Sequence, residues 1–150
     1  MTMLREAAPA KVNLFLRVLG RRADGYHLLD SLVIFTELGD RISAVAAPDI
    51  SLRVDGPFSE GLSAGEDNLV VRAARYLRRT GGAALRLTKN LPVASGIGGG
   101  SSDAAATLRA CATLWGLKTG DLAAAELAAA LGADVPVCLV RQPTRMEGIG

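Results

Sequence analysis

From Ala10 to Val18 apolar and polar side chains alternate, with Ala10, Val12, Leu14, Leu16 and Val18 on even positions and Lys11, Asn13 and Arg17 among the odd ones. Period two predicts a strand with one apolar face over 10–18. Asp24-Gly25 marks a turn within 20–30, and 31–38, 41–47 and 50–56 read as further strands, so the early chain is β-rich and antiparallel. At Asn68 the period changes. Asn68 is a natural N-cap, and Leu69, Val70, Ala73, Ala74 and Leu77 form an apolar stripe at helical spacing that Gly81-Gly82 ends. A strand over 83–89 follows, then a glycine-rich segment, then a helix from Ser101 to about Trp115. Asp121 is expected to cap a helix over 122–131 that Gly132 ends, and 135–142 reads as a last strand. Strands first and helices interleaved later predict an α+β fold.

The 150 residues suffice for one hydrophobic core. Aromatic residues are only 4% of the chain, so that core must be built mainly from Ala, Val, Leu and Ile. The net charge of +2 is mild, and the one local cluster of arginines (72, 75, 78 and 79) fits the solvated side of a helix. No basic stripe with interleaved aromatics supports nucleic-acid binding, and no apolar run is long enough for a membrane helix. The opening MTMLREAAPAK lacks the apolar core of a signal peptide. Cys111 and Cys138 form no CxxC motif, and a reduced, cytoplasmic protein without a metal site is the simplest expectation.

The chemistry concentrates in 91–106, LPVASGIGGGSSDAAA. Glycines let a backbone approach an anion closely, and a helix N-terminus offers unpaired N–H groups and partial positive charge. Strand, glycines, paired serines and helix in that order predict a phosphate cradle. Known phosphate motifs do not fit: no Lys follows these glycines as in a P-loop, and Ser101 stands where a dinucleotide fingerprint has its third glycine. The protein-kinase motif set is also absent.

The segment 92–105, PVASGIGGGSSDAA, resembles the signature of the GHMP kinases. Residues 9–16, PAKVNLFL, resemble that family's N-terminal motif. The phrases 24–32 (DGYHLLDSL), 66–74 (EDNLVVRAA) and 132–139 (GADVPVCL) are similar to members whose substrate carries a cytidine nucleotide. The resemblance implies an N-terminal domain of the ribosomal protein S5 domain 2-like type over 1–150, with a left-handed βαβ unit. It also implies a ferredoxin-like C-terminal domain not contained in this sequence. It implies transfer of the γ-phosphoryl group of ATP, with Mg²⁺, to a small-molecule hydroxyl, without nucleic-acid or membrane partners. ATP is then expected at Pro92, Val93, Ala94, Ser95, Gly96, Ile97, Gly98, Gly99, Gly100, Ser101 and Ser102, with Asn68, Leu69 and Lys89 nearby. Ser101 and Ser102 would cap their helix and help place the metal. Asp103 would be a first-turn residue at the positive end of the helix dipole.

By the same resemblance, Asp134 is the catalytic aspartate and Lys11 its partner lysine. Their pairing would keep Asp134 ionised and stabilise a developing alkoxide. Tyr26 and His27 match positions that recognise the cytidine, and Asn13 would contact the acceptor substrate. Read without the family, Asp134 is a turn residue after Gly132, and His27 is a loop residue beside the Asp24-Gly25 turn. Homoserine or mevalonate kinases are the neighbouring readings within the family. The other class is a non-catalytic nucleotide- or RNA-binding module, since S5-like domains also occur in ribosomal proteins.

Overall fold

Alternating residues from three strands supply the wall against which the helices pack. The computed structural model describes residues 2–78, 80–93 and 96–149. In it, β1 (Leu4–Arg21) and β2 (His27–Ala47) form a long antiparallel hairpin. β3 (Ser51–Asp55) leads through α1 (Leu69–Leu77) to β4 (Gly82–Thr88), which runs parallel to β3 and antiparallel to β2. α2 (Gly99–Leu114), a 3₁₀ turn (Thr119–Asp121), α3 (Ala124–Leu131), α4 (Val135–Val140) and β5 (Thr144–Ile149) complete the order. The described strands form one sheet in the order β1-β2-β4-β3. β5 pairs with Leu28–Val33, so β4 and β5 share the second edge of β2.

Ile42 and Ala44 of β2 and Ala83, Leu85 and Leu87 of β4 are buried on the same side of the sheet. Val70, Ala73, Ala74 and Leu77 of α1 and Ala104, Leu108 and Cys111 of α2 cover them. Every residue from Ser102 to Leu108 is buried, which makes α2 the central helix. Its alanines let the backbone lie close to the sheet, a use for the aromatic-poor composition.

Several elements differ from the sequence expectation. The strands expected at 31–38 and 41–47 are one strand, because Gly39 does not turn the chain. A Cβ at Gly39 would lie 2.3 Å from the Ala8 carbonyl oxygen, so the glycine serves the close approach of β1. The residues expected as a strand over 135–142 are the helix α4, with Pro136 in its first turn. Their β-branched composition suggests a strand, but Val137 and Cys138 pack with Ala105 of α2 and Val33 of β2, and that packing decides. β5 was not anticipated. α1 ends at Leu77, short of the two glycines. Asp121 lies in the 3₁₀ turn, and α3 starts two residues later than expected without a side-chain cap.

β1 departs most in its side-chain pattern. Its register with β2 slips between Pro9 and Lys11, between Asn13 and Phe15, and between Val18 and Gly20. Each bulge shifts the phase of the alternation. After the second slip Leu16 stands opposite Ser31, on the face that carries Lys11 and Asn13. The expected apolar face is therefore broken: Ala10 is buried, while Leu14, Leu16 and Val18 are exposed at 57%, 57% and 61%.

Asn68 is the N-cap of α1. Its Oδ1 accepts the Val70 N–H at 2.9 Å, and its Nδ2 donates to the Ser63 carbonyl at 2.8 Å. Asn68→Ala is expected to destabilise the protein by about 1 kcal/mol, read as a lowered unfolding midpoint in urea at unchanged slope.

Candidate active site

The glycine-rich segment crosses from β4 to α2 along one wall of an open cavity of about 440 Å³. Pro92, Val93, Gly96, Gly98, Gly99, Gly100 and Ser101 line it, with Asn68 and Leu69 at the start of α1 and Lys89 at the end of β4. Ala94 and Ser95 lie outside the described residues. α2 begins at Gly99, so the two glycines and Ser101 occupy its first turn, where the N–H groups point out of the helix end. The N-cap is Gly98, not a serine, and no side chain caps the helix. Ser102 is buried away from the cavity, and its Oγ has no hydrogen-bond partner. The cavity is also lined by Leu62, Ser63, Asp67, Val70, Leu87 and Asp103, none of which was a ligand-site candidate from sequence.

Gly98 is the pivot of this wall. It takes the left-handed conformation (φ 66°), and a Cβ there would come within 3.0 Å of the Lys11 Cβ and Cε. The Lys11 stem thus runs directly under the loop. The Lys11 N–H also donates to the Ile97 carbonyl at 2.8 Å, which fastens the loop to β1. Ile97 therefore holds the loop in position but does not line the cavity.

The Lys11 ammonium reaches the other way. It donates to Asn13 Oδ1 at 3.1 Å and stands 3.5 Å from Asp134 Oδ2. Asp134 is the N-cap residue of α4, but its carboxylate caps nothing and is left to face Lys11. Lys11 is 4% exposed, while the Asp134 side chain is 41% exposed. The lysine is thus an internal charge and the carboxylate an accessible one. Asp134, Asn13 and Ser31 share a second cavity of about 130 Å³ with Leu16, Leu29, Met146, Glu147 and Gly148. Beneath it, burial and then the Asp134 charge push the Cys138 thiol up to about 12, so it is not a nucleophile. Arg145 holds the Asp30 carboxyl below its usual range and ties β5 to β2 beside this cavity.

Tyr26 and His27 lie at the hairpin tip, exposed, and border neither cavity. From His27 to Ser31 the strand covers about 13 Å at the usual rise.

A buried charge cluster supports the larger cavity. The Lys89 ammonium donates to Asp40 Oδ2 at 2.5 Å and to Asp103 Oδ2 at 3.1 Å, with all three residues 3% exposed. Asp40 Oδ1 also accepts the N–H groups of Asn90 (2.6 Å) and Leu91 (2.8 Å). Burial works against the Lys89 charge, but the two carboxylates outweigh it and hold its pKa above the ordinary value. Burial, then the Asp40 charge, pushes Asp103 up to about 8 against the pull of Lys89. Asp103 is thus not in the first turn, as expected from sequence. It lies one turn further in, and its Oδ1 has no partner. Only Lys89 of these three was a candidate from sequence, and nothing local in the chain marks Asp40.

The family described as GHMP kinases N terminal domain matches residues 68–142. A 4-diphosphocytidyl-2-C-methyl-D-erythritol kinase from Ruegeria pomeroyi is 63% identical over 95% of this chain and 50% of its own length. The protein of the same name from Parvibaculum lavamentivorans is 59% identical over 97% of this chain and 51% of its own. The chain spans about half the length of the curated relatives it matches. Among solved structures, a 4-(cytidine 5′-diphospho)-2C-methyl-D-erythritol kinase is similar with TM-score 0.79 and 39% identity, over 98% of this chain and 53% of that one. A homoserine kinase from Cytophaga hutchinsonii, at 19% identity and TM-score 0.60, shares the fold over 92% of this chain and 42% of its own.

Proposed function

The chain belongs to the GHMP kinase N-terminal domain family, with its S5-like α+β fold, and from that premise we propose the activity of the whole polypeptide. It transfers the γ-phosphoryl group of ATP to a hydroxyl of 4-diphosphocytidyl-2-C-methyl-D-erythritol, a step of non-mevalonate isoprenoid precursor synthesis. The observation that carries the reading is the juxtaposition at Lys11. Its backbone fastens the glycine loop, and its ammonium faces an accessible carboxylate in the neighbouring cavity. Phosphoryl transfer needs such a pairing of a phosphate grip with an activated hydroxyl, and little covalent chemistry from the protein.

In this reading the first turn of α2 and the loop before it hold the triphosphate in the larger cavity. Asn68 and Leu69 border the nucleoside, and Lys89 braces the loop from below. Asp134 accepts the proton of the attacking hydroxyl in the smaller cavity, where Asn13 orients the substrate. Lys11 stabilises the charge developing on the acceptor oxygen. Tyr26 and His27 take the cytosine by stacking and hydrogen bonding. An extended nucleoside diphosphate can run along the hairpin from the acceptor cavity to its tip. Of the chain's own groups, the Ser101 hydroxyl on the cavity wall would suit Mg²⁺ as an oxygen donor, and the ion would supply neutralisation of phosphate charge. The second, ferredoxin-like domain of this enzyme type completes the acceptor side.

Coupled ADP-release assays on the longest native polypeptide containing this chain test the reading. Turnover is expected with 4-diphosphocytidyl-2-C-methyl-D-erythritol and not with homoserine or mevalonate. Faster turnover of either of those two would reassign the substrate, since neither has a base to occupy Tyr26 and His27.

A further inference from the structure

We infer that Ser31 is a positioning residue for phosphoryl transfer: its buried hydroxyl orients Asn13, and Asn13 in turn aims the Lys11 ammonium at Asp134. The claim rests on the kinase reading above for its kinetic consequence and on hydrogen-bond direction for its geometry. Ser31 is 3% exposed. Its hydroxyl donates to the Phe15 carbonyl at 2.9 Å, which fixes where its hydrogen points. The oxygen can then only accept on its remaining side, and it accepts Asn13 Nδ2 at 2.5 Å. An amide whose nitrogen is committed in this way must present its oxygen elsewhere. Asn13 Oδ1 accepts the Lys11 ammonium at 3.1 Å, and that ammonium stands 3.5 Å from Asp134.

The backbone that permits this relay is the bulge between Asn13 and Phe15. Without it, the side chains after Asn13 would fall on the opposite phase, and the Phe15 carbonyl would not meet Ser31 from across the hairpin. A bulge beside a reacting centre that re-aims a side chain is the known use of the device. Ser31 also borders the acceptor cavity, so it stands where a loosened Asn13 would be felt by the substrate as well. Its neighbour Asp30 is committed to Arg145. The orientation of Asn13 therefore depends on the serine alone among the hydroxyls described here.

Removing the hydroxyl leaves Asn13 free to rotate, and a lysine aimed wrongly by about 1 Å loses on the order of 10²-fold in rate. The experiment uses the longest native polypeptide containing this chain, with Ser31→Ala and Ser31→Thr compared with wild type. Ser31→Ala is expected to lower kcat by about 10- to 100-fold with the KM for ATP unchanged, and Ser31→Thr, which keeps the hydroxyl, to restore most of it. Independently of any substrate, competitive acylation of lysines read by mass spectrometry should find Lys11 several-fold more reactive in Ser31→Ala and back near wild type in Ser31→Thr. Wild-type Lys11 reactivity in a folded Ser31→Ala protein would overturn the inference, as would equal losses in both variants. Failure of the wild-type protein to phosphorylate the proposed substrate would remove the kinase reading, while the acylation result would still decide whether Ser31 positions Lys11.

Discussion

Asp134→Ala is expected to lower kcat by about 10²- to 10⁴-fold while nucleotide affinity stays within about twofold of wild type. The separation follows from the layout. Asp134 borders the smaller cavity, whereas the proposed triphosphate site is the larger one, which the start of α2 and the end of β4 line. Its carboxylate neither caps α4 nor accepts a hydrogen bond needed for the fold, so the variant should remain folded. Lys11→Ala should behave differently. It also loses rate, but it removes the stem packed beneath Gly98, so nucleotide binding should weaken as well. The double variant should be no slower than the slower single one, because the two side chains act as one unit. Steady-state kinetics with calorimetric nucleotide titration reads all three. Near-normal turnover in Asp134→Ala would remove the proton-acceptor role.

Asp40→Ala is expected to destabilise the protein by about 3–5 kcal/mol, the usual result of removing one partner from a buried ion pair. Asp40 is the sole acceptor described for the N–H groups of Asn90 and Leu91, and it is the nearer of the two anions on Lys89. Asp103→Asn should be far milder, since an amide oxygen can still accept from Lys89. The two carboxylates also differ in their effect on pH dependence. Asp103 ionises near 3.8 in an unfolded chain and near about 8 in the fold, so the folded state holds the extra proton between those values. Stability associated with Asp103 is therefore complete below pH 3.8 and is lost as pH rises through about 8. Asp103→Asn should flatten that slope and gain on wild type at pH 8. Urea unfolding of the nucleotide-free protein at pH 5 and pH 8 checks both variants. An unchanged slope in Asp103→Asn would mean that this carboxyl is already ionised in the fold.

The order of elements was legible where local signals were strong. Asn68 with its apolar stripe, and the glycines before an alanine-rich run, mark α1 and the approach to α2. Signals that depend on partners were not legible. The alternation in β1 looked continuous because bulges leave no trace in composition, and they exist only against the register of β2. Val135–Val140 is β-branched and proline-containing, yet the surface of α2 and β2 makes it a helix. The glycine loop announced itself by composition, and Lys11 and Asp134 by resemblance. Asp40 had neither kind of mark, and Ser31, although inside the family-like phrase 24–32, was given no role by it. Their importance comes from what 50 and 18 residues of separation bring within hydrogen-bond reach.

Lys11 lies between the two cavities without lining either: its main chain holds the loop at Ile97, and its ammonium faces Asp134. In the proposed reading, the gap between phosphoryl donor and acceptor is spanned by this one residue. The residue that fastens the loop at Ile97 is thus the same one that neutralises the carboxylate at Asp134, so no substitution at position 11 can test the two contacts separately unless it keeps the main chain and changes the stem.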